Sequence, residues 1–177
     1  MHCGMSKTKN FILLTYEPMK ILLVCLGNIC RSPMAEGILR DKIEKAGLDV
    51  LVDSAGTANY HVGEPPHKNT IKVAAENGLD IRDLKARQFQ TNDFEDFDII
   101  YVMDSSNHDD VMRLAKSDIH TSKVRFFLSE LNEGNSVNVP DPWFGGYDGF
   151  QEVYRLLDRT CDRIVEKVIT SRINSTD

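Results

Sequence analysis

The stretch Val-Cys-Leu-Gly-Asn-Ile-Cys-Arg-Ser-Pro, residues 24–33, constrains this chain more than any other. An unbroken apolar run, Ile21-Leu22-Leu23-Val24, stops at Cys25, passes through a short loop and restarts as a helix. Apolar residues without polar alternation mark a strand covered on both faces, here residues 21–25. Beyond the loop Met34, Ala35, Ile38, Leu39, Ile43 and Ala46 recur at helical spacing. Pro33 suits the first helical position and Gly47 the stop, so the helix is predicted over 33–46.

The same alternation continues downstream. Residues 50–54 read as a second strand, and Ile71, Ala74 and Ala75 mark one face of a helix that stops at Gly78. Residues 98–103 (DIIYVM) form a third strand, 105–116 a helix opening on Ser-Ser-Asn, and 124–128 a fourth strand. A last helix carries Phe150, Val153, Tyr154, Leu157, Cys161, Ile164, Val165 and Val168 as one apolar stripe, in which Cys161 reads as a buried hydrophobe. Strands alternating with helices predict an α/β three-layer sandwich: a central four-stranded parallel sheet, helices on both faces, and a ligand loop after strand one. Residues 1–18 show no clear period and are expected to be a flexible extension, with an edge strand at 11–16 as the alternative; the domain is expected over 19–174.

The loop after strand one carries the chemistry. Between Cys25 and Arg31, the backbone N–H groups of Leu26, Gly27, Asn28, Ile29 and Cys30 can turn inward as an anion nest at a helix N-terminus, with Gly27 easing the tightest bend. That field and the Arg31 guanidinium favour a thiolate at Cys25, and the planar fork of Arg31 matches two phosphoryl oxygens. A phosphate ester also needs an acid for its departing oxygen. Asp141, between Pro140 and Pro142 and followed by Trp143 and Phe144, is the best candidate.

Composition limits the alternatives. A formal net charge of -6 argues against broad binding to nucleic acid or anionic membrane, so a phosphate site must be local. Four cysteines in 177 residues make no disulfide framework, and the apolar run 11–14 is too short for a signal core or a membrane span, which points to the cytoplasm. No pair of cysteines or histidines has zinc-ligand spacing, and no cofactor is implied.

VCLGNICRSPMAEG, DSAGT at 53–57, MDSSN at 103–107 and DPW at 141–143 together resemble the low-molecular-weight protein tyrosine phosphatases, in the same order and over about residues 19–170. The resemblance implies Cys25 as nucleophile, Arg31 as phosphate and transition-state ligand, and Asp141 as acid, then base, in two successive steps. It further implies that Ser32 hydrogen-bonds the thiolate, Asn28 shapes the loop, and Asp104 pairs with Arg31. Tyr60 and Trp143 would wall the substrate cleft, and Cys30 would form a protective disulfide with Cys25. Two departures stand out: the loop-supporting histidine of animal members aligns near Leu84, within DLKARQF, and Trp143-Phe144 replaces their paired tyrosines, both closer to the bacterial branch. The implied partner is a phosphotyrosine protein, such as a bacterial tyrosine kinase, acted on by a monomer or weak dimer. Arsenate reductases share the loop but need further redox cysteines. Protein-arginine phosphatases are implied to carry Thr where Ile29 stands, and a non-enzymatic phosphate-binding module would lack Asp141.

Overall fold

The apolar strand at the head of the sequence lies inside the sheet, as its lack of polar alternation requires. In the computed structural model, which describes residues 17–131 and 137–174, β1 (Met19–Cys25) pairs on one side with β2 (Val50–Gly56) and on the other with β3 (Ile99–Val102). The order is β2-β1-β3-β4, with β4 (Val124–Phe126) at the far edge, and every pairing is parallel. Residues 1–16, which hold most of the expected extension and the alternative edge strand, lie outside the described residues.

Side chains of β1 alternate between two cores. Ile21, Leu23 and Cys25 join Ile38, Leu39 and Ile43 of α1 (Arg31–Lys45) and Phe150, Leu157 and Ile164 of α6 (Gly146–Asn174). Leu22 and Val24 point the other way, onto Phe94 of α3 (Asp93–Asp96) and Val111 of α4 (Ser105–Met112). Helices therefore cover both faces, as the expected three layers require.

Several boundaries differ from expectation for local reasons. α1 starts at Arg31, which puts Pro33 third; a first-turn proline is tolerated because those N–H groups have no intrahelical acceptor. The helix predicted over 105–116 ends at Met112, and a separate α5 (Asp118–Lys123) follows, its start fixed by Ser117 Oγ accepting from His120 N. β4 stops at Phe126 because residues 127–131 tighten into a 3-10 helix that buries Phe127, Leu128 and Leu131. α2 (Lys68–Glu76) buries Thr70, Val73 and Ala74, a face rotated from the predicted Ile71, Ala74 and Ala75. α3 had no clear sequence signal. β1 and β3, neighbours in the sheet, run parallel, so the loops after Cys25 and Val102 emerge side by side at one edge.

Candidate active site

The loop between Cys25 and α1 is held from three sides. Thr57 N donates to Cys25 O and Ala58 N to Leu26 O, both at 2.9 Å, so the chain leaving β2 pins the near limb. His67 N donates to Ile29 O at 2.8 Å and pins the far limb. Gly56 makes the close approach of these two segments possible: a Cβ there would stand 2.7 Å from Leu26 O. The sharp bend falls on Asn28, whose φ of 55° is left-handed, and not on Gly27 as the sequence suggested. Asn tolerates that region because its short amide bonds locally. Gly27 serves a different need, since a Cβ on it would meet His61 Cδ2 at 3.0 Å.

A directed chain of hydrogen bonds runs beneath the loop. Arg87 N donates to Asn28 Oδ1 at 2.9 Å, which turns the amide nitrogen toward Ser32 Oγ (2.9 Å) and Ser54 Oγ (2.8 Å). The Ser54 hydroxyl in turn donates to Glu36 Oε2 at 2.5 Å. Ser32 Oγ, already an acceptor, keeps its hydrogen for Cys25 Sγ 3.0 Å away, nearer than its other acceptor, Ala55 O at 3.4 Å. Asn28 N adds a second donor to the sulfur at 3.3 Å. Glu36 is buried, and although its Oε1 accepts no hydrogen bond, Arg40 Nη2 stands 2.5 Å away as an ion pair off the hydrogen-bond direction. Burial pushes the Glu36 carboxyl up to about 7, against the Ser54 bond and the Arg40 charge.

Arg31 is sealed on one edge and open on the other. Its Nη1 donates to Asp104 Oδ2 (2.6 Å) and to Val139 O (3.1 Å), while Nη2 lies 3.8 Å from Asp141 Oδ2. Burial opposes the charge, but Cys25, Asp104 and Asp141 together hold the guanidinium above its ordinary pKa. Asp104 serves twice, since its Oδ1 also caps α4 by accepting from Asn107 N at 2.8 Å. The segment bearing Asp141 is tied to the sheet by Val139 N donating to Met103 O at 2.7 Å, and Asp141 Oδ1 accepts from Trp143 N.

These groups surround a cavity of about 280 Å³ lined by Cys25, Ile29, Cys30, Arg31, Asp141 and Trp143, with Leu26, Gly27, Tyr60, His61 and Phe144 toward its mouth. Asn28, Ser32 and Asp104 stand behind it. Cys30 is buried beside Cys25, and burial first, then the neighbouring Cys25 and Asp141, push its thiol up to about 12. Cys161 is fully buried on α6, its Sγ 3.9 Å from Ala35 O, and desolvation raises its pKa. Sequence reasoning missed Glu36, Ser54, Gly56, Arg87 and Val139. The first three lie inside the quoted segments MAEG and DSAGT, where only their sequence pattern could have flagged them.

With the geometry in hand, comparison with known proteins gives the class. The family described as low molecular weight phosphotyrosine protein phosphatase matches residues 20–173, and the chain belongs to it. It is 45% identical over 143 residues to the low molecular weight phosphotyrosine protein phosphatase of Schizosaccharomyces pombe, covering 78% of this chain and 90% of that protein. Among solved structures it resembles YfkJ from Bacillus subtilis at a TM-score of 0.83 and 35% identity, covering 89% and 98% of the two chains. A Drosophila arginine phosphatase aligns at a TM-score of 0.79 and 34% identity, over 85% and 98% of the respective chains.

Proposed function

We propose that the chain hydrolyses phosphotyrosine, and aryl phosphates generally, through a phosphocysteine intermediate. Cys25 Sγ attacks phosphorus, the S–P bond forms as the P–O bond to the phenol breaks, and Asp141 gives the leaving oxygen its proton. Water then attacks the phosphocysteine, Asp141 takes the water's proton, and inorganic phosphate leaves with the thiolate restored. Arg31, its Nη1 committed to Asp104 and Val139, presents its Nε and Nη2 edge to two phosphoryl oxygens. The α1 N-terminus adds N–H groups that no side chain caps.

The observation that carries this reading is the convergence of Cys25, Arg31 and Asp141 on one cavity, with Ser32 and Asn28 N both bonded to the sulfur. The domain is assigned to 19–174 and the site to the cytoplasm, with a phosphotyrosine protein as substrate. A thiol relay of the arsenate reductase kind is disfavoured because Cys161 is sealed in the core. The arginine phosphatase reading draws support from the fly structure, but Ile29 at the cavity wall argues for tyrosine.

The test is p-nitrophenyl phosphate turnover in EDTA. Full activity is expected, with loss of more than about a thousandfold in Cys25→Ser and roughly 10² to 10⁴ in Asp141→Ala. Turnover surviving Cys25→Ser would exclude the covalent scheme, and faster release from phosphoarginine than from phosphotyrosine peptides would move the substrate class.

A further inference from the structure

A large aromatic side chain left in water needs a reason, because a contiguous exposed apolar patch is far more informative than a single exposed leucine. Phe144 is 90% exposed, Tyr60 73% and Trp143 55%, and all three edge the cavity that holds Cys25. Trp143 at least touches the fold, 5.3 Å ring to ring from His67. Among the described residues no ring contact of this kind holds Phe144.

Among the side chains that line the cavity, the exposed charge is acidic. Of the lysines and arginines among the described residues only Arg31 lines the cavity, and its side chain is 5% exposed. Asp141 is 41% exposed, and His61 beside Gly27 is paired with Glu64 at 2.8 Å. A phosphotyrosine ring seated against Cys25 must lay its own backbone and neighbouring side chains across this rim. An acidic neighbour lying over Asp141 would meet a like charge, though Lys68, exposed beside the His67 that faces Trp143, offers a cation on the other side, whereas an apolar neighbour would cover Phe144 and Tyr60.

We infer that the rim formed by Tyr60 and Phe144 selects phosphotyrosine segments with a bulky apolar residue next to the phosphotyrosine. This rests on the phosphotyrosine reading above. The test compares synthetic peptides carrying phosphotyrosine in a glycine-rich host, with Leu or Glu placed immediately before or after it, and p-nitrophenyl phosphate measured on the same preparations. The Leu peptide in the favoured position is expected to exceed both the glycine host and the Glu peptide in kcat/KM, the host by about threefold to tenfold and mainly through KM. In Phe144→Ser the Leu-to-Gly ratio should collapse toward one, and Phe144→Leu should restore part of it. Equal rates on all hosts, a preference for Glu, or a Leu preference untouched by Phe144→Ser would overturn the inference while leaving the phosphotyrosine reading intact. Turnover of p-nitrophenyl phosphate with no release from any peptide would overturn that reading, and the inference with it.

Discussion

Two helices begin at the same edge of the sheet, after adjacent strands, and their starts are built in opposite ways. α4, after β3, is closed by its own chain: Asp104 in extended conformation accepts from Asn107 N through Oδ1. α1, after β1, starts from Cys30 with no side-chain cap and no acidic residue in its first turn. A helix N-terminus that its own carboxylate fills has no attraction left for a ligand, and one left open attracts an anion. The closed start also serves the open one, because the second oxygen of Asp104 orients Arg31 toward the cavity. A chain of net charge -6 thus still sets one buried cation and one open helix start where an anion fits.

Arg31→Lys should break this arrangement most severely. A single ammonium cannot bond Asp104, Val139 O and two phosphoryl oxygens together, so kcat/KM is expected to fall about 10² to 10³ with the fold retained. Steady-state kinetics beside thermal unfolding would show it; a loss below about threefold would mean that the fork is not the phosphate ligand.

Asp104 separates the two helix starts more finely. Asp104→Asn keeps an acceptor for Asn107 N but weakens the hold on Arg31, so activity should fall about tenfold with little change in stability. Asp104→Ala should lose the same activity and about 1 kcal/mol of stability besides, read from urea unfolding. Equal stability of the two variants would show that the cap on α4 contributes nothing.

The two starts were unequally legible in the sequence. The loop of α1 was readable because its meaning is carried by residue types at fixed spacing: Cys25, the short loop, Arg31 and Ser-Pro imply an anion nest wherever they follow a buried strand. Asp141 was readable for a related reason, since flanking prolines leave an aspartate few conformations. The tightest bend was assigned to Gly27 because glycine is the usual occupant of such turns, and only the bonds of Asn28 to Arg87, Ser54 and Ser32 show why an asparagine takes it. Those partners come from β2, α1 and the chain before α3, and no local pattern announces a contact between residues 28 and 87. The rotated face of α2 was missed for the same cause, since Thr70 is buried by the tertiary position of its helix and not by its polarity.

Glu36 tests the support of the open start from behind. Its carboxyl, ordinarily near 4.5, sits at about 7 in the fold because burial penalises the charge. The folded protein therefore holds this proton more tightly than the unfolded chain. The resulting stability is fully present below 4.5 and is lost as pH rises through 7, so Glu36 alone should lower stability by about 2 kcal/mol between about pH 5.5 and 8. Glu36→Gln offers Ser54 a carbonyl oxygen in place of the carboxylate and removes the titration. Its urea midpoint should then change less with pH than that of the wild type, the two curves converging or crossing as pH rises, while the turnover of p-nitrophenyl phosphate changes only a few-fold because Ser32 still has its hydrogen free for Cys25. Parallel pH curves for the two proteins would show that the buried carboxyl does not titrate in this range. A turnover loss as large as that of Arg31→Lys would show instead that the charge of Glu36, and not merely an acceptor for Ser54, holds the loop open.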